Sequence, residues 1–207
     1  VMETALVIIV IVMFSAIIHE VMHGYAADKL GDPTARYAGR LTLNPIPHLD
    51  PFGSVLLPLI FALSPGSFFF GWAKPVPYNP FNLTKAPYWG EAIVAAAGPA
   101  SNLVLALLFG LIIRTGLFPM ANEIWTYVVL INISLMLLNL IPIPPLDGSK
   151  ILSAILPLPL RIQYDNLRAR LEYNPFMGFG LVIVFILLFG NTFGSIVYAI
   201  GSVIAGI

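Results

Sequence analysis

Long stretches without an ionisable side chain divide the chain into apolar segments. Residues 4–18 are apolar almost throughout, and three further stretches, 51–73, 92–113 and 124–146, contain no Asp, Glu, Lys or Arg. No charged residue follows Glu172 either. A helix that crosses a membrane needs about 20 largely apolar residues. The pattern therefore predicts several membrane-spanning helices.

The uncharged C-terminal part has room for two short helices. We predict helices over 176–190 and 194–207, hinged near Asn191, so that about 176–207 forms a C-terminal helical hairpin. The N-terminal segment is not predicted to be a secretory signal, because no basic region precedes it and no small-residue cleavage site follows it.

Residues 51–73 differ from the other apolar segments because proline and glycine interrupt them, which leaves no run suited to an unbroken helix. The interrupting residues are Pro51, Gly53, Pro58, Pro65, Gly66 and Gly71. If this segment spans the membrane, the ten basic residues divide four to six between the two faces. If it re-enters, nine of the ten lie on one face and only Arg114 on the other.

The positive-inside rule favours the re-entrant arrangement and identifies the nine-residue face as cytoplasmic. That face would carry Lys29, Arg36, Arg40, Lys74, Lys85, Lys150, Arg161, Arg168 and Arg170. We therefore predict an all-α polytopic membrane protein of about five transmembrane helices plus a re-entrant loop, with the N-terminus outside.

Composition supports this fold class and excludes others. Hydrophobic residues make up 58% of the 207 and charged residues only 10%, against about 45–50% and about 25% in soluble domains. A water-soluble domain and a disordered chain are therefore both excluded. Zero net charge argues against a nucleic-acid partner. The absence of cysteine excludes disulfides and thiolate sites.

Two segments outside the apolar stretches have a pattern of their own. Residues 68–80 are aromatic and rich in proline, which favours a short extended or β segment near the cytoplasmic face. This segment is either an aromatic belt with a lysine anchor or an edge strand that pairs with an unwound substrate. Residues 161–172 place opposite charges at i,i+4 spacing, which is typical of a surface helix.

The first apolar segment ends in a possible metal site. His19 and His23 lie four residues apart, so a helix presents both imidazoles on one face. Glu20 lies beside that face, where it could take a proton from water. This spacing is the H-E-x-x-H signature of zinc hydrolases, and ionisable groups inside a bilayer are costly unless they have a function.

A catalytic zinc site normally has three protein ligands, so a third must come from elsewhere. Asp147 stands out, because it follows 23 uncharged residues and, in the re-entrant topology, lies on the same face as the histidines. Its alternative is a turn aspartate before Gly148. The full set of candidates is Asp28, Asp32, His48, Asp50, Glu91 and Asp147.

Three motifs resemble the signatures of a known family. HEVMHG at 19–24, GPASN at 98–102 and NLIPIPPLDG at 139–148 are similar in order and spacing to those of the site-2 proteases, which are intramembrane zinc metalloproteases. Two further sequences, TARYAGRLTLNPIPHLDPFG at 34–53 and FGWAKPVPYNP at 70–80, resemble the compact bacterial and archaeal branch of this family, which lacks PDZ and CBS domains. The resemblance implies one Zn²⁺ per chain and a catalytic core over about 5–150 of a single domain, 1–207.

The resemblance also implies roles for individual residues. It makes His19, His23 and Asp147 the zinc ligands and Glu20 the catalytic base, and it places Asn102 and Asn139 near the active site.

The residues themselves leave several roles open. Asn102, with Gly98-Pro99 loosening the helix before it, could donate to an oxyanion or make an interhelical hydrogen bond. Asn139 could orient the loop that leads to Asp147. His48 could be a second-shell group, a gate, an inhibitory ligand or a local turn contact. Candidates for substrate binding are Gly71, Trp72 and Ala73.

The function predicted from these features is hydrolysis of peptide bonds in or near transmembrane segments of protein substrates. The protein would be a multi-pass component of a prokaryotic inner membrane, with its active site towards the cytoplasm and the lipid bilayer around it. A divalent-metal transporter with the same His and Asp cluster is one alternative. A catalytically inactive relative that binds membrane partners is another.

Overall fold

The computed structural model describes residues 2–50 and 74–206, and in those ranges it is helical without β-strands. The helices are α1 (Met2–Leu30), α2 (Thr34–Tyr37), α3 (Gly90–Thr115), α4 (Asn122–Asn139), α5 (Asp147–Ile155), α6 (Leu158–Tyr173) and α7 (Pro175–Ala205). Short 3₁₀ turns lie at Ile46–His48, Pro80–Asn82 and Pro119–Ala121. The all-α prediction is thus confirmed for the described residues. The predicted re-entrant loop, and with it Gly71, Trp72 and Ala73, lies outside them.

Four of the described helical segments are long and apolar enough to cross a membrane, where about five were predicted. They are Thr4–Leu30, Gly90–Thr115, Pro119–Asn139 and Gly180–Ala205.

The C-terminal hairpin is the prediction that was wrong, because residues 175–205 form one continuous helix. Glycine and asparagine near Asn191 lower helix propensity by less than about 1 kcal/mol each, whereas proline would break the helix. In lipid, a break would also leave backbone groups without partners. The weak helix formers near Asn191 are therefore accommodated within α7.

Helix α3 is the centre of the bundle and packs against α1, α4, α5 and α7. Its buried stripe is made mainly of small residues, which allow neighbouring helices to approach closely. Gly110 shows this most clearly, because an added Cβ would lie 2.4 Å from Ile204 Cγ2 of α7. The buried residues of the stripe include Ala92, Ala95, Gly98, Ser101, Asn102, Ala106 and Gly110.

Two groups of buried apolar side chains hold these helices together. The larger one joins α3, α4 and α7 and consists of Ala106, Ile113, Val129, Ile133, Val197 and Ala205. The smaller one joins α1, the chain before α3 and α3 itself, through Ala27, Leu83 and Val94. The metal-site motif on α1 is thereby fixed against α3.

Residues 74–79, which we call the strap, run beside α1 without forming a strand. Lys74 N donates to His48 O at 2.8 Å, and Arg40 donates to Lys74 O at 2.7 Å. At the other end, Asn79 N donates to Asp32 Oδ2 at 2.6 Å. The predicted extended segment is therefore held by side chains and turns in its described part, rather than by a β-ladder.

The surface helix predicted over 161–172 is present as α6. Its i,i+4 ion pairs, Arg161 with Asp165 at 3.5 Å and Arg168 with Glu172 at 3.3 Å, are confirmed. Arg168 also reaches Glu91 at the start of α3, at 2.8 Å. This pair ties α6 to the end of the bundle at which α3 begins.

Candidate metal centre

The two histidines of the α1 motif lie on its buried face, against α3. His19 is 6% exposed and His23 is 8% exposed. Their ring centroids lie 4.6 Å apart with nearly perpendicular planes, so their Nε2 atoms can face a common point. The helical spacing that predicted a shared face is confirmed.

Asp147, the first residue of α5, meets both histidines through one oxygen. Its Oδ2 lies 3.1 Å from His19 Nε2 and 3.3 Å from His23 Nε2. Donor atoms about 2.0–2.1 Å from a tetrahedral zinc ion lie about 3.3 Å apart. Both histidine–aspartate distances are therefore close to the spacing expected between ligands of one zinc ion. Burial by itself would raise the pKa of Asp147, but the facing imidazoles hold it below its ordinary value.

The Nδ1 atoms of both histidines have partners that leave Nε2 available to a metal. His23 Nδ1 donates to Val94 O at 2.7 Å, and His19 Nδ1 lies 2.6 Å from Asn102 Oδ1. Histidine ligands of metals usually donate their other N–H to a carbonyl or carboxylate in this way. The types of donor atom and the hydrogen bonds at Nδ1 therefore also fit a zinc site.

Two glycines make the approach of these groups possible. A Cβ on Gly98 would lie 2.5 Å from His19 Nε2 and 2.5 Å from His23 Cε1. A Cβ on Gly148 would lie 2.2 Å from Leu140 O, where the turn before α5 packs on the end of α4. Helix α3 runs through both Gly98 and Pro99, and Gly98 provides the space for the two imidazoles.

Glu20 lies beside the histidines and contacts the strap. Ligand atoms of Glu20, His19 and His23 all lie within 4.8 Å of one another. Glu20 Oε2 accepts a hydrogen bond from Val76 N at 2.9 Å, and Oε1 makes no hydrogen bond to the described residues. One carboxylate oxygen is thus held by backbone while the other remains for a proton.

The strap is also tied to α5 next to Asp147. Lys150 Nζ lies 5.2 Å from the centre of the Tyr78 ring. Burial alone would lower the pKa of Lys150, but Tyr78 and Asp147 raise it above its ordinary value. A cation on α5 therefore fixes the strap next to the three donors.

The other two singled-out polar residues make local contacts. His48 is almost fully buried, and its Nε2 donates to Thr42 O at 2.9 Å, which confirms the local turn contact among its readings. Asn139 is the last residue of α4 and donates to Leu135 O of the same helix at 2.9 Å. This bond does not reach the loop before Asp147, so a loop-orienting role for Asn139 stays a prediction.

Other carboxylates considered as third ligand are engaged elsewhere. Asp28 pairs with Arg36, and Glu91 pairs with Arg168. Asp32 accepts from the turn that begins α2 and from the strap. Asp147 is the carboxylate from outside α1 for which contacts with both histidines are observed.

The sequence reading missed Asn132, which is fully buried in α4. Its Oδ1 accepts from Asn102 Nδ2 at 2.9 Å, and its Nδ2 donates to Ser15 Oγ at 3.0 Å. Asn132 lies within an uncharged stretch of 23 residues. Polar side chains inside a membrane helix usually bond to another helix, so this isolated amide was the available signal.

Replacing Gly98 with Ala is expected to weaken zinc binding by at least tenfold. The added methyl would occupy the space of the two imidazoles, both held by their Nδ1 bonds. Competition with a fluorescent zinc chelator measures the change. Gly194→Ala is the matched control, because nothing lies within 4 Å of a Cβ there. Equal affinity in the two variants would contradict the role given to Gly98.

Comparison with known proteins identifies relatives that are named as zinc metalloproteases. The sequence profile of Peptidase family M50 matches residues 117–187, which include Asp147. "Putative zinc metalloprotease YwhC" of Bacillus subtilis is 39% identical over 202 residues, which cover 93% of this chain and 83% of that protein.

Two mycobacterial proteins are more distant relatives. "Putative zinc metalloprotease Rip2" of Mycolicibacterium smegmatis is 32% identical over 139 residues, 66% of this chain and 52% of that protein. The protein of the same name from Mycobacterium tuberculosis matches to the same extent. No solved structure matches the chain. The motifs, the donor geometry and these relatives together show that the chain belongs to the site-2 protease family, Peptidase family M50.

Proposed function

We propose that this protein is an intramembrane zinc metalloprotease that hydrolyses peptide bonds in or near transmembrane segments of its substrates. The observation that carries the proposal is the convergence of two imidazole nitrogens on one carboxylate oxygen, at 3.1 and 3.3 Å, beside the Glu20 carboxylate. Two of the four described helices that are long and apolar enough to cross a membrane form this cluster: Thr4–Leu30 carries the histidines, and Gly90–Thr115 contacts them through Val94 and Asn102.

The metal would be held by His19, His23 and Asp147, one ion per chain. When bound, zinc supplies a Lewis acid that polarises a carbonyl and lowers the pKa of water. Asn102 and Val94 O keep the imidazoles oriented from behind. Gly98 gives the rings room against α3.

Glu20 is the group that moves the proton. Its Oε1 takes the proton from the attacking water and then gives it to the leaving amine, so that one carboxylate acts as base and then as acid. The Val76 N–H holds Oε2 and so fixes the plane of the carboxylate. Val76 N already has this partner. Gly71, Trp72 and Ala73, which lie outside the described residues, remain the candidates for pairing with substrate that the sequence suggests.

The substrate of such a site is a helix that must unwind locally, because its carbonyls are otherwise hydrogen bonded.

Both polar atoms of the Asn102 amide have partners, Oδ1 with His19 and Nδ2 with Asn132. It therefore supports the histidine rather than an oxyanion.

The charge distribution supports an active site near the cytoplasmic face with the N-terminus outside. Where α3 begins, Glu91 pairs with Arg168 of α6, a helix that carries several basic residues. At the opposite end of α3, Arg114 donates to Ile204 O of α7 at 2.8 Å. The positive-inside rule assigns the first end to the cytoplasm.

Zinc removal and return test the proposal. We expect purified protein to hold one zinc per chain and to cleave a tagged fusion with a single transmembrane segment that contains Gly and Pro. A chelator should abolish cleavage, and added zinc should restore it, because the three donors remain in place. Gel shifts and atomic absorption measure the two properties. Metal flux into vesicles without cleavage would indicate a transporter instead, and zinc without either would indicate an inactive relative.

A further inference from the structure

A chain of buried amides connects His19 to the backbone of α4. His19 Nδ1 lies 2.6 Å from Asn102 Oδ1, and Asn102 Nδ2 donates to Asn132 Oδ1 at 2.9 Å. Asn132 Nδ2 donates in turn to Val128 O at 2.9 Å and to Ser15 Oγ at 3.0 Å. Both amides are fully buried. Three helices thus meet in one continuous hydrogen-bond chain behind the metal site.

One group at the far end of this chain, the Val128 carbonyl, can accept a hydrogen bond but cannot donate one. Because Val128 O is a backbone carbonyl, Asn132 must turn its Nδ2 towards it and its Oδ1 towards Asn102. Asn102 must then present Nδ2 to Asn132 and Oδ1 to His19. The reverse orientation would bring two buried oxygens together, which is unfavourable without water.

We propose that Asn132 is a positioning residue that fixes the tautomer of His19 through Asn102. With Oδ1 of Asn102 against the ring, Nδ1 of His19 carries a proton and the lone pair of Nε2 is left for the metal that it would share with Asp147. If Asn102 turned over, its NH₂ would face Nδ1 and the proton would move to Nε2. A protonated Nε2 has no lone pair for a metal. The importance of the tautomer therefore rests on the metal centre proposed above.

His23 shows the same arrangement in a shorter form. Its Nδ1 donates directly to Val94 O, a carbonyl that can only accept. Both tautomers are therefore set by a backbone carbonyl, one directly and one through two amides. Outer partners of this kind typically contribute 10–100-fold to metal affinity.

The test compares variants of Asn132 that keep or remove the acceptor for Asn102. Asn132→Leu has a similar size but no polar atom, and we expect zinc affinity to fall about tenfold or more. Asn132→Asp still offers Asn102 an oxygen in either protonation state, and it should bind zinc more nearly as wild type does. Chelator competition on purified protein gives the affinities.

Ile133→Ala is the control for packing. Ile133 is the fully buried neighbour of Asn132 in α4 and contacts the apolar cluster rather than the amides. We expect this variant to lower the thermal stability, because it leaves a cavity, without changing zinc affinity. Wild-type affinity in Asn132→Leu, or an equal loss in Ile133→Ala, would overturn the proposal.

A second measurement requires no metal. Spectra of ¹⁵N-histidine are recorded on Asp147→Ala, because in the wild type the Asp147 carboxylate, 3.1 Å from His19 Nε2, itself draws a proton to that nitrogen when no metal is bound. The spectra report which ring nitrogen is protonated, and we expect Nδ1–H on both His19 and His23. A proton on Nε2 of neutral His19 in this variant would overturn the relay even if the wild type binds zinc. Wild-type protein that binds no zinc would instead refute the metal centre, and the tautomer would still decide the role of Asn132.

Discussion

Glu20→Gln is expected to abolish peptide cleavage while zinc stays bound. The amide has nearly the same shape, and its oxygen can still accept from Val76 N, which contacts Glu20 Oε2 at 2.9 Å. It cannot take a proton from water at neutral pH. General acid–base groups typically contribute about 10²–10⁴-fold, so a loss of at least about 100-fold is expected. Cleavage rates of a single-span fusion and zinc content measure the two effects.

The same variant also distinguishes two possible ligand sets. Glu20 lies close enough to both histidines to be a third ligand itself, and in that case Glu20→Gln would lose zinc together with activity. Glu91→Gln is the matched control, because Glu91 pairs with Arg168 away from the histidines. Cleavage by Glu20→Gln at the rate of this control would refute the assignment of Glu20 as the base.

Asp147→Ala is expected to lose both zinc and cleavage. Asp147 is the donor that lies 3.1 and 3.3 Å from the two imidazoles, and its removal leaves only two ligands. Changes of outer partners already cost 10–100-fold in metal affinity, so a ligand change should weaken zinc binding by at least about 100-fold. Chelator competition and atomic absorption measure the loss.

Two further variants separate charge from folding. Asp147→Asn keeps the shape but removes the anionic donor, and it should bind zinc far more weakly than wild type. Asp165→Asn is the control, because Asp165 pairs with Arg161 of α6 and accepts from Ser153 Oγ of α5, a bond that the amide oxygen of Asn can still accept, without contacting the histidines. Zinc retained by both Asp147 variants would show that the third ligand is another group, with Glu20 the nearest candidate.

Helix positions followed from local sequence where strong signals mark their ends. The uncharged stretch 124–146 predicted a span, and α4 ends at Asn139 within it. Three prolines within the four residues 142–145 explain the earlier end, because each lacks a backbone N–H and restricts the residue before it. The hairpin predicted around Asn191 failed for the opposite reason. Glycine and asparagine weaken a helix only slightly. Packing against neighbouring helices and the cost of unpaired backbone groups in lipid outweigh this effect, so α7 continues.

The sequence by itself determined the membrane class, the H-E-x-x-H face and the kinds of donor available. These properties depend on composition and on i,i+4 spacing within one helix, which are local. Only the tertiary structure decided that Asp147 meets His19 across 128 residues of sequence, and that Asn102 and Asn132 stand behind that histidine. Such contacts depend on how closely helices pack. Gly98 has no Cβ, and this absence lets α3 approach the two histidines of α1.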